Sequence, residues 1–172
     1  MKSSHLILII TCIAGALSTV QAQKFGYVNT TELIESHPQV VVANKTLEMY
    51  SDSLVLPFEE KALAFQKKYE FFVEEVNAGT LSKVSQDSRA KSLQEEQQAL
   101  QAEDQRIQGA IALKRDILLR PILAEIDSVI QVTGKEGNYH MIFDASVSGT
   151  LLYAEEGDDL TAIIKDRIQS KP

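Results

Sequence analysis

Asn77-Ala78-Gly79-Thr80-Leu81-Ser82 is the one clear stop signal in the middle of this 172-residue chain. Gly79 suits the positive φ that closes a helix, and Ser82 suits the cap that opens the next one. Reading back from this point, Leu47, Tyr50, Leu54, Phe58, Ala62, Phe65, Tyr69, Phe72 and Val76 follow one another at gaps of three or four. That is the period of a helix with one buried stripe, as in a coiled coil or a helical hairpin. The spacing predicts a helix over residues 39–77, about 57 Å long at about 1.5 Å per residue. Pro57 falls inside it, but the stripe stays in phase on both sides, so a kink is expected and not a break. Reading forward, Leu93, Leu100 and Ile107 lie seven apart, and Ile111, Leu118, Ile122, Ile126 and Val129 extend their stripe. A second helix is expected over 83–133. Residues 94–108 include six glutamines and few apolar positions, so this stretch is the better hydrated part. Two long helices joined by so short a turn lie antiparallel.

The two ends of the chain have a different character. Residues 24–29 (KFGYVN) read as a short strand, and Asn29-x-x-Glu32 has the form of a capping box that starts a helix. Pro38 then restarts the helix in a new direction. Beyond the hairpin, Gly134 and Gly137 are expected to end the second long helix. Residues 139–144 and 151–154 read as strands on either side of a turn at 146–149. Asp158 or Asp159 caps a last helix that runs to about Gln169 and carries Leu160, Ile163, Ile164 and Ile168. The expected fold is α+β. Residues 23–38 and 131–172 make a small β-body, and residues 39–130 make a long antiparallel α-helical hairpin, a coiled-coil arm with its tip near 77–82. So small a body buries little surface, and its sheet has open edges. Self-association through the sheet is the simplest remedy, with a copy number that the residues themselves leave open.

Residues 1–22 read as a secretory signal peptide: Lys2, an apolar run over 6–17, and Val20-Gln21-Ala22 before a cut at Gln23. The single cysteine, Cys12, lies within it. The mature chain therefore has none, which excludes disulfides, thiolate catalysis and cysteine metal sites. The net charge of the whole chain is −7; without Lys2, 16 bases and 24 acids leave the mature chain at −8. Such a chain is a poor binder of nucleic-acid phosphates. No nucleotide-binding loop, zinc-protease helix or nucleophile elbow occurs, so no enzyme activity and no cofactor is expected. His37 and His140 stand apart from any ligand-spaced partner, and no metal site is expected. Asp144, Ser146 and Ser148 read as a set that caps a turn.

The order of these pieces resembles the Skp/OmpH family of periplasmic chaperones. The resemblance is carried by FGYVNTTELIESHP (residues 25–38), NAGTLS at the tip, LLRPILAEID, GNYHMIFDAS, LLYA and DDLTAIIKDRI, and it spans essentially the whole mature chain. It implies a homotrimer in which strands from each copy form a central β-body and the arms project like tentacles around a cavity. It also implies a periplasmic, ATP-independent holdase whose partners are unfolded outer-membrane β-barrel proteins. One departure stands out. The better-known members are basic, whereas residues 39–130 here hold 11 bases and 15 acids, a net charge of −4. Lipopolysaccharide binding is therefore not carried over, and membrane contact at the arm tips stays open. On this reading Phe58, Phe71 and Phe72 are the candidate client contacts. Phe65, Tyr69 and Phe72 lie on the stripe and read first as the zip between the helices, while Phe71 lies off it. Lys67, Lys68, Lys83, Arg89 and Lys91 are the candidate bases of the tip; Pro57, Gly79 and Pro121 are the candidate hinge or cap positions. The alternative is a coiled-coil scaffold or spacer of the cell envelope that holds one folded partner.

Overall fold

The computed structural model describes residues 23–170; the expected signal peptide lies outside the described residues. Strand β1 (Phe25–Val28) leads into helix α1 (Thr30–Ser36). Asn29 caps that helix by accepting the Glu32 backbone N–H at 3.1 Å, the first half of the expected capping box. The chain turns at His37 and enters helix α2 (Pro38–Asn77), with proline in its first turn. Pro57 lies within this 40-residue helix, which is unbroken there.

The tip closes as the sequence predicts. Gly79 has φ +69°. Its N–H donates to the Val76 carbonyl at 3.1 Å, and the Thr80 N–H donates to the Glu75 carbonyl at 3.1 Å. This paired closure satisfies carbonyls that the helix end leaves free. The Ser82 side chain then caps helix α3 (Lys83–Glu136) through the Ser85 N–H. Helix α3 is longer than expected, because Gly134 lies inside it and the left-handed residue after it is Asn138, φ 54°. The Asn138 and Tyr139 N–H groups donate to the carbonyls of Lys135 and Gly134, the same closure as at the tip. Asparagine tolerates this conformation better than most side chains.

Strand β2 (Met141–Asp144) pairs with β1 in parallel, Phe25 opposite Met141 and Val28 opposite Asp144. The sheet thus joins the two ends of the chain. On the other side of β1, Leu160 N–H donates to the Tyr27 carbonyl at 2.9 Å, and Tyr27 bridges to Asp159. A 3-10 turn (Glu156–Asp158) precedes helix α4 (Thr161–Gln169). Asp159 supplies the expected acidic cap, accepting the Thr161 N–H at 2.8 Å.

One expected element is missing. Residues 151–154 form no strand, and Leu152 and Tyr153 are 92% and 82% exposed. A strand exists through its ladder partner. Among the described residues, the edge of β1 beside this segment carries only the bridge at Asp159, and no strand pairs with LLYA. The described sheet is two-stranded, in place of the three strands expected per chain.

One hydrophobic cluster holds the body and the root of the arm together. Val28, Leu33, Val40, Ile122, Ile126, Val129, Leu160 and Ile164 are buried in it, and Leu33 and Ile164 have no exposed surface. Away from it, the only buried apolar residue among those described is Ile107. The arm is therefore two helices thick and no more, and nearly every side chain on it borders water.

Candidate functional site

Five of the six aromatic residues of α2 lie in the half nearest the tip, all but Tyr50. Phe58 and Phe72 are half-buried in the seam with α3. Phe65 and Tyr69 sit one turn apart, with ring centres 6.4 Å from each other. Tyr69, expected in the seam, is 53% exposed, and Phe71 is 57% exposed. Phe72 borders two open grooves between the helices. One is about 350 Å3, lined by Phe71, Phe72, Leu93 and Lys68 among others; the second is about 250 Å3, with Val73, Val76 and Ala90. A slender hairpin cannot bury rings on all sides, so the tip keeps an apolar, partly open surface.

The tip bases are largely neutralised. Lys68 pairs with Glu96 at 2.7 Å across the hairpin, and Arg89 pairs with Glu75. Lys83 pairs with Asp87 at 2.9 Å and Lys91 with Glu95 at 3.9 Å, both one turn along the same helix. Lys67 has no ion pair among the described residues. These exposed pairs add little stability each, but they leave the tip without a net cationic patch. Gly79 sits in open space at the turn, and Pro121 is exposed beside the fully buried Ile122 where the arm enters the body.

The root of the arm holds a residue that the pattern of the sequence did not single out. His37 is 3% exposed and caps α2, its Nδ1 accepting the Gln39 N–H at 3.2 Å. Its Nε2 lies 3.5 Å from a Glu125 carboxylate oxygen on α3. No periodicity marks a lone histidine before a proline.

The body carries an apolar groove of about 410 Å3 along β1. Phe25, Tyr27, Phe143, Leu151 and Tyr153 line it, and Asp158 stands at its rim. Burial and the neighbouring Asp159, Glu156 and Asp158 push the Tyr27 hydroxyl above its ordinary pKa. Opposite, Asp144 ties β2 to the start of α1. It accepts the Thr30 hydroxyl at 2.7 Å and the Ser146 N–H at 2.9 Å, in the manner expected of a turn cap. Among the described residues no group of three or more histidine, cysteine or acidic side chains is placed to hold a metal ion. No described helix is long and apolar enough to cross a membrane.

Comparison with known proteins places this architecture. No curated protein matches the chain. Its fold is similar to the crystal structure of a candidate outer membrane chaperone (OmpH-like) from Caulobacter crescentus CB15. The two share 13% identity at a TM-score of 0.66, over 87% of this chain and 85% of that one. The family model for OmpH-like outer membrane proteins matches residues 24–168, the body and the arm together. This is a family of non-enzymatic proteins. The chain belongs to the OmpH-like (Skp) family.

Proposed function

We propose that this protein is an ATP-independent periplasmic holdase that works as a homotrimer and keeps unfolded outer-membrane β-barrel proteins soluble between its arms. The observation that carries the reading is the arm itself: a two-helix projection with Tyr69 and Phe71 more than half exposed near its end. Many weak apolar contacts on projecting arms hold an unfolded chain through avidity, with no need of a tight site or of nucleotide. Phe58, Phe71 and Phe72 are the proposed client contacts, and Pro57 and Pro121 the proposed points where the arm bends.

Trimerisation is assigned to residues 23–38 and 131–172. Leu152 and Tyr153 are almost fully exposed beside the apolar groove along β1. An unpaired strand-forming segment next to an open apolar groove is what a second copy would cover. Because the tip bases are neutralised by neighbours, the client is held mainly by apolar contact. The test is aggregation of an outer-membrane barrel diluted from urea, followed by turbidity without nucleotide. The mature protein is expected to suppress turbidity at a few-fold molar excess. Undiminished turbidity, together with tight binding to a single folded envelope protein, would replace this reading with the scaffold.

A further inference from the structure

The face of α2 turned away from α3 carries an apolar row that no described residue covers. Val42, Met49, Leu56 and Leu63 are 66%, 65%, 58% and 53% exposed. They lie seven positions apart, nearly two helical turns, so they align as one ridge with a step of about 10.5 Å. Their direction follows from the seam. Met49 is two positions from Leu47, Leu56 two from Leu54, and Leu63 two from Phe65, all half-buried. Two positions are about 200° around a helix, which sets the ridge on the opposite side from the seam.

The middle of the ridge has an acidic border. Asp52 is a neighbour of both Met49 and Leu56 on the helix surface, and Glu59 and Glu60 are neighbours of both Leu56 and Leu63. Residues 48–60 contain these three acids and Glu48, and no base. Among the described residues none of the four makes an ion pair or a side-chain hydrogen bond. Of the nearby bases, Lys61 pairs with Glu103 at 2.6 Å and Lys68 with Glu96, both across the hairpin, while Lys45, beside Val42 and Met49, and Lys67, beside Leu63, flank the two ends of the ridge without an ion pair among the described residues. The middle of the ridge, from Met49 to Leu63, is thus bordered by carboxylates without an ion-pair partner among the described residues.

One apolar residue per heptad is too sparse for a partner helix, which needs apolar side chains at two positions per heptad. Lysine and arginine suit it better, with an apolar stem to lie on the ridge and a cation to meet its border. We infer that the outer face of α2 docks unfolded segments that combine apolar side chains with lysine or arginine. The inference rests on the holdase reading and names the chemistry of the client it prefers.

The test uses the mature protein and labelled peptides of about 20 residues, long enough at about 3.3 Å per residue to span the ridge. The peptides share their leucines and valines and differ in having lysine, glutamine or glutamate at the polar positions. By fluorescence anisotropy at low ionic strength, the lysine peptide is expected to bind about tenfold more tightly than the glutamate peptide, a gap that closes in high salt. The triple variant D52N/E59Q/E60Q should lose that preference and bind the glutamine peptide as the wild type does. M49S/L56S should weaken the lysine and glutamine peptides with helix content unchanged, since both side chains are exposed. Equal binding of the lysine and glutamate peptides, or a preference retained by the triple variant, overturns the inference. If an unfolded barrel stays soluble with wild type and both variants alike, the ridge fails while the holdase reading stands. If the barrel precipitates with wild type, both fail.

Discussion

Replacing Asp144 should cost this fold more than its half-exposed position implies, and in a pH-dependent way. Its carboxylate accepts the Thr30 hydroxyl at 2.7 Å and the Ser146 N–H at 2.9 Å, with the Thr30 N–H further off at 3.4 Å. It thereby joins the end of β2 to the first turn of α1, two segments more than a hundred residues apart in sequence. Two good hydrogen bonds to a charged acceptor, discounted for partial exposure, amount to about 3 kcal/mol for Asp144→Ala. With a urea dependence of about 2 kcal/mol per molar, the unfolding midpoint should fall by about 1.5 M at neutral pH. Burial opposes the charge on Asp144, but the hydrogen bonds from Thr30 and Ser146 outweigh it and hold the carboxyl below its ordinary value of 3.8. As pH falls, the unfolded chain takes up this proton first. The stabilisation from the charge is therefore complete above the unfolded pKa and is lost as pH drops through the lower folded value. The assay is urea unfolding by circular dichroism at one fixed protein concentration, since self-association shifts the midpoint. The isosteric Asp144→Asn variant should trail wild type at pH 7 and converge on it well below pH 3.8. A gap of the same size at both pH values would refute the electrostatic part of this reasoning. No gap at pH 7 would refute the tie itself.

Other substitutions test other parts. Leu33→Ala removes a side chain with no exposed surface from the core that joins body to arm; a loss of about 3 kcal/mol in urea unfolding is expected. Gly137→Ala would put a methyl 2.4 Å from the Tyr139 ring and 3.1 Å from the Thr133 carbonyl. The ring must move, and the melting temperature should drop by several degrees, on the order of 1–2 kcal/mol. Leu152→Ser with Tyr153→Ser leaves the folded chain intact because both side chains are exposed, yet should lower the mass measured by sedimentation. Phe71→Ser should weaken capture of an unfolded barrel in the turbidity assay with no change in melting temperature.

Much of this architecture is legible in the sequence because it is local. The Gly79 closure, the Ser82 cap and the Asn29 cap need only neighbouring residues, and each forms as expected. The seam of the hairpin is legible from spacing, but a spacing of three and four does not fix how far each side chain reaches into the seam. Tyr69 keeps the period and still lies 53% exposed. The end of α3 depends on Asn138 taking a conformation more often given to glycine, which displaced the expected stop by three residues, from Thr133 to Glu136. Residues 151–154 have the composition of a strand, but pairing is a property of two segments, and none of the described residues pairs with them as a strand. His37 has no pattern to announce it, since its role comes from burial against α3. Val42, Met49, Leu56 and Leu63 are periodic in sequence, yet the denser seam two positions away obscures them.

A trimer that holds an unfolded client is distinguished from every alternative by its native mass. The mature protein should be measured by light scattering after size exclusion, alone and after mixing with an outer-membrane barrel diluted from urea. The mass of three chains is expected alone, and of three chains plus one client in the mixture, with the client in the soluble peak. A monomer beside precipitated client would contradict it.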